Sequence, residues 1–400
     1  MNFANERLES AACFVFACAM IYLDNNATTA VAAEVRDAML PYLTEFYGNP
    51  SSTHRFGQES RQAIEHARHQ VAALIGAEPR ELIFTSGGTE ANNAAIFGLL
   101  EGRGPKVPQR IITSTVEHSA VREPLATLKK RGVEVVEIGV DTNGRLDMAA
   151  LQAALMQGAA LASIMWANNE TGVVFDIAAI AALCVQHGVP LHVDAVQVVG
   201  KLPVNVATLP IAALSLSGHK FHGPKGVGAL WVRRGVRWMP WLRGGPQERD
   251  RRGGTENVAG IVGIGKAAEL ALSALGDWDR VAALRDRLEQ SLLKIVGDTH
   301  VNGDRASRLP NTTNLGFAGL EAEAILLLLS EQDVCASAGA ACASGSLEPS
   351  HVLRAMGLPD RVAHGAVRFS LSRATTAEEI DRTLAIVPPV IERLRATLPV

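Results

Sequence analysis

Lys220 stands in the run Ser215-Leu216-Ser217-Gly218-His219-Lys220-Phe221-His222-Gly223-Pro224-Lys225-Gly226, a polar, glycine-rich stretch directly after an apolar strand pattern. An amine there can act as nucleophile or base when burial or a nearby positive charge lowers its pKa to roughly 7–8. A solvated surface lysine is the alternative. Asp194 ends another apolar run, His192-Val193-Asp194-Ala195-Val196-Gln197. A carboxylate left inside a protein needs a cationic partner, such as a protonated pyridine nitrogen, because an unpaired buried charge is costly; capping the next helix is its other use. Thr85-Ser86-Gly87-Gly88-Thr89-Glu90 lies between a strand pattern and a helix pattern. Its glycines let backbone N–H groups converge, and a helix N-terminus attracts an anion such as phosphate. The motif has neither the Lys of a Walker P-loop nor the GxGxxG spacing, so an ordinary glycine turn with a Thr cap competes with a phosphate cradle.

Together, a phosphate cradle, a strand-end acid and a strand-end lysine are the parts required to hold pyridoxal phosphate. His118 and the turn Asn168-Asn169-Glu170-Thr171-Gly172 follow two further strands and end at the same edge. A histidine there can stack on a flat ring and move protons near neutral pH, or serve only as a structural hydrogen-bonder. Asn169 can reach a cofactor hydroxyl or a substrate, or simply shape the turn. Cys342 lies in Ser337-Ala338-Gly339-Ala340-Ala341-Cys342-Ala343-Ser344-Gly345-Ser346, whose tiny side chains build no core and read as a mobile loop. A thiolate on such an arm can be carried to a reacting centre, whereas Cys184 and Cys335 suit the small buried hydrophobe that most free cysteines are. Arg368 interrupts the strand pattern Val367-Arg368-Phe369-Ser370. A bidentate carboxylate partner would explain it, the alternative being an arginine on a solvated strand face.

The elements that position these residues alternate from Glu81 onward. Strand-length apolar runs are expected at Glu81–Thr85, Arg110–Ser114, Glu134–Ile138, Leu161–Trp166, Leu191–Asp194, Ala212–Leu216 and Gly228–Val232. Helices are expected at Glu90–Leu100, Ser119–Lys130, Met148–Met156 and Ile177–His187. That alternation predicts an α/β fold, a parallel sheet covered by helices on both faces, with ligand sites at the carboxyl ends of the strands. After Val232 a Trp-, Arg- and Gly-rich loop leads into helices at Val258–Ser273 and Trp278–Val296. There follow a strand at Thr312–Phe317, a helix at Glu321–Ser330, a strand at Val367–Ser372 and a closing helix at Ala377–Leu394. A second domain is expected to begin after Val232.

Composition narrows the function classes. The 400 residues carry Lys+Arg 38 against Asp+Glu 41, a formal net charge of -3, with 48% hydrophobic residues. This excludes a disordered chain and gives no basic field for nucleic acid. The five cysteines Cys13, Cys18, Cys184, Cys335 and Cys342 form neither a disulfide framework nor a CxxC metal pair, which suits a reducing cytoplasm. Metal binding through Cys335, Cys342 and His351 has poor spacing, so no metal site is expected. The apolar run Ala11 to Leu23 falls short of the ~20 residues that span a bilayer, and Glu6 and Glu9 leave its flank acidic, unlike a secretory signal. Residues ahead of Met20 read as an extension, with Met20 a possible natural start and no membrane contact expected.

Ordered motifs along the chain resemble the cysteine desulfurases of the class V aminotransferase group, pyridoxal-phosphate enzymes of fold type I. They are Tyr22–Thr29 (YLDNNATT), Gly48–His54 (GNPSSTH), Ser86–Glu90, Asn168–Gly172, Asp194–Gln197, Ser215–Gly228, Gly254–Val258 (GTENV) and Pro349–Leu353 (PSHVL). The resemblance implies an N-terminal extension over residues 1–20, a segment 21–35 packing with the small domain, a large domain over 36–272 with a mostly parallel seven-stranded sheet, and a smaller α+β domain over 273–400 carrying the Cys loop at about 336–348. It implies Lys220 as the Schiff-base lysine, Asp194 as pyridinium partner, His118 as ring-stacking acid/base, and Gln197 and Asn169 as contacts near the ring hydroxyl. Gly88, Thr89, Ser217 and His219 resemble the phosphate shell, with Thr255 reaching in from a second subunit of a homodimer. Arg368 resembles the clamp for the substrate carboxylate and Cys342 the sulfur-accepting nucleophile.

The implied activity converts L-cysteine to L-alanine, leaving a persulfide on Cys342 for an iron–sulfur scaffold or another acceptor protein. The short Cys loop and GTENV resemble the nitrogen-fixation and housekeeping type, of which the nitrogen-fixation branch is preferred. Ala340 departs from a Ser common at that place, and the N-terminal extension is atypical. A selenocysteine lyase or transaminase of the same group, or a sulfur-donor binding partner, would keep much of the same sequence.

Overall fold

The computed structural model describes residues 20–107, 109–338 and 349–397. Seven strands form one sheet in the spatial order Leu82–Thr85, Gly228–Val232, Ala213–Ser217, Leu191–Asp194, Leu161–Met165, Arg110–Ser114, Glu134–Ile138. Six of these strands are buried along their whole length, as expected where helices cover both faces and the apolar runs are continuous. Only the edge strand Glu134–Ile138 mixes exposed with buried positions.

The sheet is parallel except that Gly228–Val232 runs antiparallel to both of its neighbours. Its link from Ser217 is only residues 218–227, with no α-helix, and parallel neighbours need a connection of a dozen or more residues. Most expected elements recur with their bounds shifted by a residue or less, among them the helices Ser119–Lys130 and Met148–Met156. The helix after the glycine turn is longer than expected, Gly88–Arg103. Sequence reading gave no element to Arg55–Ile75, a 21-residue helix. It buries Ile64, Ala67, Val71 and Ile75 and packs on the helix Val258–Ser273. A Cβ on Gly265 would lie 2.6 Å from Ala67, so that crossing requires glycine.

A second apolar cluster surrounds a three-stranded antiparallel sheet, Ala366–Ser370, Thr312–Phe317 and Thr299–Val301, with the helices Trp278–Ile295, Ala322–Ser330 and Ala377–Thr397 against it. The N-terminal strand Ile21–Tyr22 pairs in parallel with Val334–Cys335, and Ile21 and Leu23 are fully buried in this cluster. The following residues then run back to the ends of the large sheet, where Thr29 N–H donates to the His219 carbonyl. No single helix among the described residues is long and apolar enough to cross a membrane.

Candidate active site

Each strand end delivers one group to the same place. Asp194 is the last residue of its strand and is buried. One carboxylate oxygen accepts from Val196 N–H at 3.0 Å and the other from Asn92 Nδ2 at 2.6 Å. It therefore does cap the following turn, while half of the carboxylate faces the helix Gly88–Arg103. Lys220 ends the short 3-10 turn Gly218–Lys220 after the strand Ala213–Ser217. Its Nζ donates to the carbonyls of Asn26 at 2.5 Å and Ala27 at 2.7 Å.

Gly88 and Thr89 open a 16-residue helix, whose first-turn N–H groups have no partner inside the helix. A Cβ on Gly88 would sit 2.7 Å from Val196 Cγ2, so a side chain there would close the cradle. His118 caps the helix Ser119–Lys130, its Nδ1 accepting from Ala120 N–H. In the neutral ring that acceptor role leaves the proton on Nε2. Asn168 builds the next turn by accepting at Oδ1 from Glu170 N–H and Thr171 N–H, which delivers Asn169 to the site.

These side chains meet in a cavity of about 250 Å³. Gly88, Thr89, His118, Asn169, Asp194, Gln197, Ser217, His219 and Lys220 all line it. Arg368 lies beside it and is 1% exposed, not on a solvated strand face. Its Nη1 donates to the Asn169 carbonyl at 2.8 Å and its Nη2 to Asp24 at 2.6 Å. Thr255 is exposed and does not line the cavity, and Cys342 and Ala340 lie outside the described residues.

Three contributors were missed from sequence. Asn92 sits one helical turn after Gly88, a spacing that signals a shared face. Asp24 and Asn26 lie within the YLDNNATT motif, but nothing local shows where that segment docks.

The electrostatics are those of a site divided by charge. Burial raises the Asp194 pKa against the pull of the Val196 N–H, His118, Asn92 and Lys220. Burial lowers that of His118, helped by Lys220 and opposed by Asp194, so the imidazole is neutral near pH 7. His219 is pushed down to about 4 by burial and by Lys220 and Lys225; its Nδ1 lies 3.1 Å from Thr28 Oγ1. An acid at one end, an amine on the wall and a helix N-terminus at the other end match a molecule with a ring nitrogen, an aldehyde and a phosphate. Asn92 Oδ1, buried and without a partner, leaves a further acceptor beside the acid. The residues present fit pyridoxal phosphate.

The family model described as aminotransferase class-V matches residues 21–383. The chain belongs to the class-V aminotransferase family. Proteins of this family depend on pyridoxal phosphate, and the fold is that of fold type I. The chain is 58% identical over 380 residues to a protein of Trichormus variabilis named cysteine desulfurase 2, covering 95% of each. It is 55% identical over 381 residues to a cysteine desulfurase of a Nostoc species, again covering 95% of each. Among solved structures, a NifS-like protein superposes with a TM-score of 0.88 at 36% identity, covering 94% of this chain and 100% of the other.

Proposed function

We propose that this protein is a pyridoxal-phosphate-dependent cysteine desulfurase that converts L-cysteine to L-alanine and passes the sulfur on as a persulfide. The observation that carries this reading is the convergence of Asp194, His118, Gln197 and Lys220 with the Gly88 helix N-terminus in one cavity, Arg368 beside it. Lys220 would hold the cofactor aldehyde, Asp194 its ring nitrogen, His118 its ring face, and Gln197 and Asn169 its hydroxyl edge. Gly88, Thr89, Ser217 and His219 would hold its phosphate. When bound, the cofactor supplies an electron sink for bond breaking at the substrate Cα.

Arg368 holds the substrate carboxylate, and the Lys220 amine takes the Cα proton and returns one. The Cys342 thiolate attacks the substrate sulfur. A sulfur–sulfur bond forms as the Cβ–S bond breaks, carbon keeps that electron pair, and protonation yields alanine. The described chain on both sides of the Cys342 stretch is tied to this site. Ser337 N–H donates to the Arg368 carbonyl, and Arg368 N–H donates back to Ser337. Ser350 Oγ donates to Glu170 at 2.5 Å, and the His351 ring bonds the Glu117 carbonyl at 3.1 Å. These contacts fall on residues adjoining Asn169 and His118, which supports delivery of Cys342 there.

The same reading includes a homodimer in which Thr255 completes the partner's phosphate shell, and a cytoplasmic role with an iron–sulfur scaffold as acceptor. It takes residues 36–272 as the large domain and 273–400 as the small one, with 21–35 packing on the small domain. It takes the nitrogen-fixation branch of the nitrogen-fixation and housekeeping type that the short Cys loop and the GTENV string resemble. The test is an assay of alanine and sulfide from L-cysteine without added keto acid, with a thiol reductant present to release the persulfide sulfur as sulfide. Both should form in equal amounts, and Cys342→Ala should keep the cofactor absorbance and lose sulfide. A Cys342→Ala enzyme releasing sulfide at the wild-type rate would refute the nucleophile.

A further inference from the structure

One buried amine remains outside the scheme above. Lys201 is 3% exposed and, among the described residues, makes no ion pair with a carboxylate. Its Nζ donates instead to two amide oxygens, Gln197 Oε1 at 2.9 Å and Asn26 Oδ1 at 3.0 Å. Burial, with the like charges of Lys220 and Arg368, holds its pKa well below the ordinary lysine value. A buried amine held only by amide oxygens beside two cations is a poor way to stabilise a fold. Its position behind one cavity-lining side chain gives it another use.

Asn26 is oriented independently of Lys201. Its Nδ2 donates to the Asn169 carbonyl and to Thr312 Oγ1, and its Oδ1 also accepts from Asn311 Nδ2. Gln197 is then gripped from both ends, since its Nε2 donates to the Asn26 carbonyl at 2.9 Å while Lys201 takes its Oε1. The reversed amide would set donor against donor at Lys201 and oxygen against oxygen at Asn26. One N–H of Nε2 is used on Asn26, and an amide nitrogen carries two. Gln197 lines the cavity, so the second N–H is available to a ligand there.

We propose that Lys201 is a positioning residue: it anchors Gln197 so that this side chain can only donate to the ligand. The inference rests on the pyridoxal-phosphate reading, and it adds a residue that touches no ligand. Without the anchor the Gln197 amide can turn over, and its hydrogen bond to the ligand is lost. Losing that support should speed cofactor release about tenfold.

The test compares the wild type, Lys201→Met, Gln197→Met and the double variant, each loaded with pyridoxal phosphate. The rate of cofactor release, the position of the visible band and the melting temperature of the cofactor-free protein are measured. Lys201→Met should release cofactor about tenfold faster, shift the band, and leave the cofactor-free protein as stable as wild type or more so, because Met of similar volume replaces a buried amine that is costly to desolvate. In the Gln197→Met background the same change should add nothing.

Wild-type release and spectrum in Lys201→Met, an undiminished effect without Gln197, or a loss of apoprotein stability that accounts for the faster release would each overturn the proposal. If Lys201→Met does not fold, Lys201→Leu, which also removes the donor, is judged by the same criteria. A wild-type protein that binds no pyridoxal phosphate would instead overturn the functional reading itself.

Discussion

Replacing Asp194 by Asn separates holding a cofactor from holding the fold. The carboxylate accepts from Asn92 Nδ2 at 2.6 Å and from Val196 N–H at 3.0 Å. An amide can accept at only one of these places. The neighbouring Asn92 can turn over, however, because its own Oδ1 is buried and without a partner, and after that flip it accepts from the new N–H. Burial also disfavours the charge on Asp194 in the cofactor-free protein. Asp194→Asn should therefore change the stability of the apoprotein by no more than about 1 kcal/mol.

The loaded protein should behave differently, because a cationic ring nitrogen would face a neutral amide. A hydrogen bond to a charged group contributes about 1.5–3 kcal/mol, which corresponds to roughly ten- to hundredfold weaker binding. Titration of the apoprotein with pyridoxal phosphate, followed by visible absorbance, gives the affinity, and urea unfolding of the apoprotein gives the stability. Unchanged affinity would refute the assigned partnership. A loss of several kcal/mol in the apoprotein would show that Asp194 is chiefly a structural cap.

Two further expectations concern stability. Burial raises the Glu117 carboxyl to about 8, against hydrogen bonds from Ser114 and Met165. The folded state then keeps a proton that the unfolded chain releases near pH 4.5, so stability falls as pH rises from about 4.5 to 8, by something of order 5 kcal/mol. Glu117→Gln should flatten the melting temperature across that window relative to wild type, and parallel curves for the two proteins would refute the assignment. Arg68 meets Glu248 through two hydrogen bonds of 2.7 Å, both side chains 3% exposed, and Glu248 also accepts from Phe84 N–H. Arg68→Met strands that carboxylate and should destabilise the protein by about 3–5 kcal/mol; a loss under about 1 kcal/mol in chemical denaturation would show the pair to be dispensable.

Local sequence was enough for most of the large sheet. Strands such as Arg110–Ser114 and Gly228–Val232 are buried on both faces, so each reads as an unbroken apolar run whatever its neighbours. The residues that follow them are confined to one sheet edge by the same alternation of strand and helix, which is why Gly88, His118, Asp194 and Lys220 could be grouped before any coordinates. The helix Arg55–Ile75 was missed although Ile64, Ala67, Val71 and Ile75 recur at helical spacing, because its polar surface dilutes the pattern.

Contacts between distant segments were decided only by the tertiary structure. The antiparallel course of Gly228–Val232 follows from pairing, not from its composition. Arg368 called for a carboxylate, but its sequence offers no way to choose Asp24, which precedes it by most of the chain. Asn26 collects Lys201, Gln197, Lys220, Asn311 and Thr312 only because the N-terminal segment is laid between the two cores. Periodicity reports which face of an element is buried, since that depends on neighbours a few residues away. Which polar groups satisfy one another inside depends on how elements from opposite ends of the chain come to rest, and no local pattern encodes that.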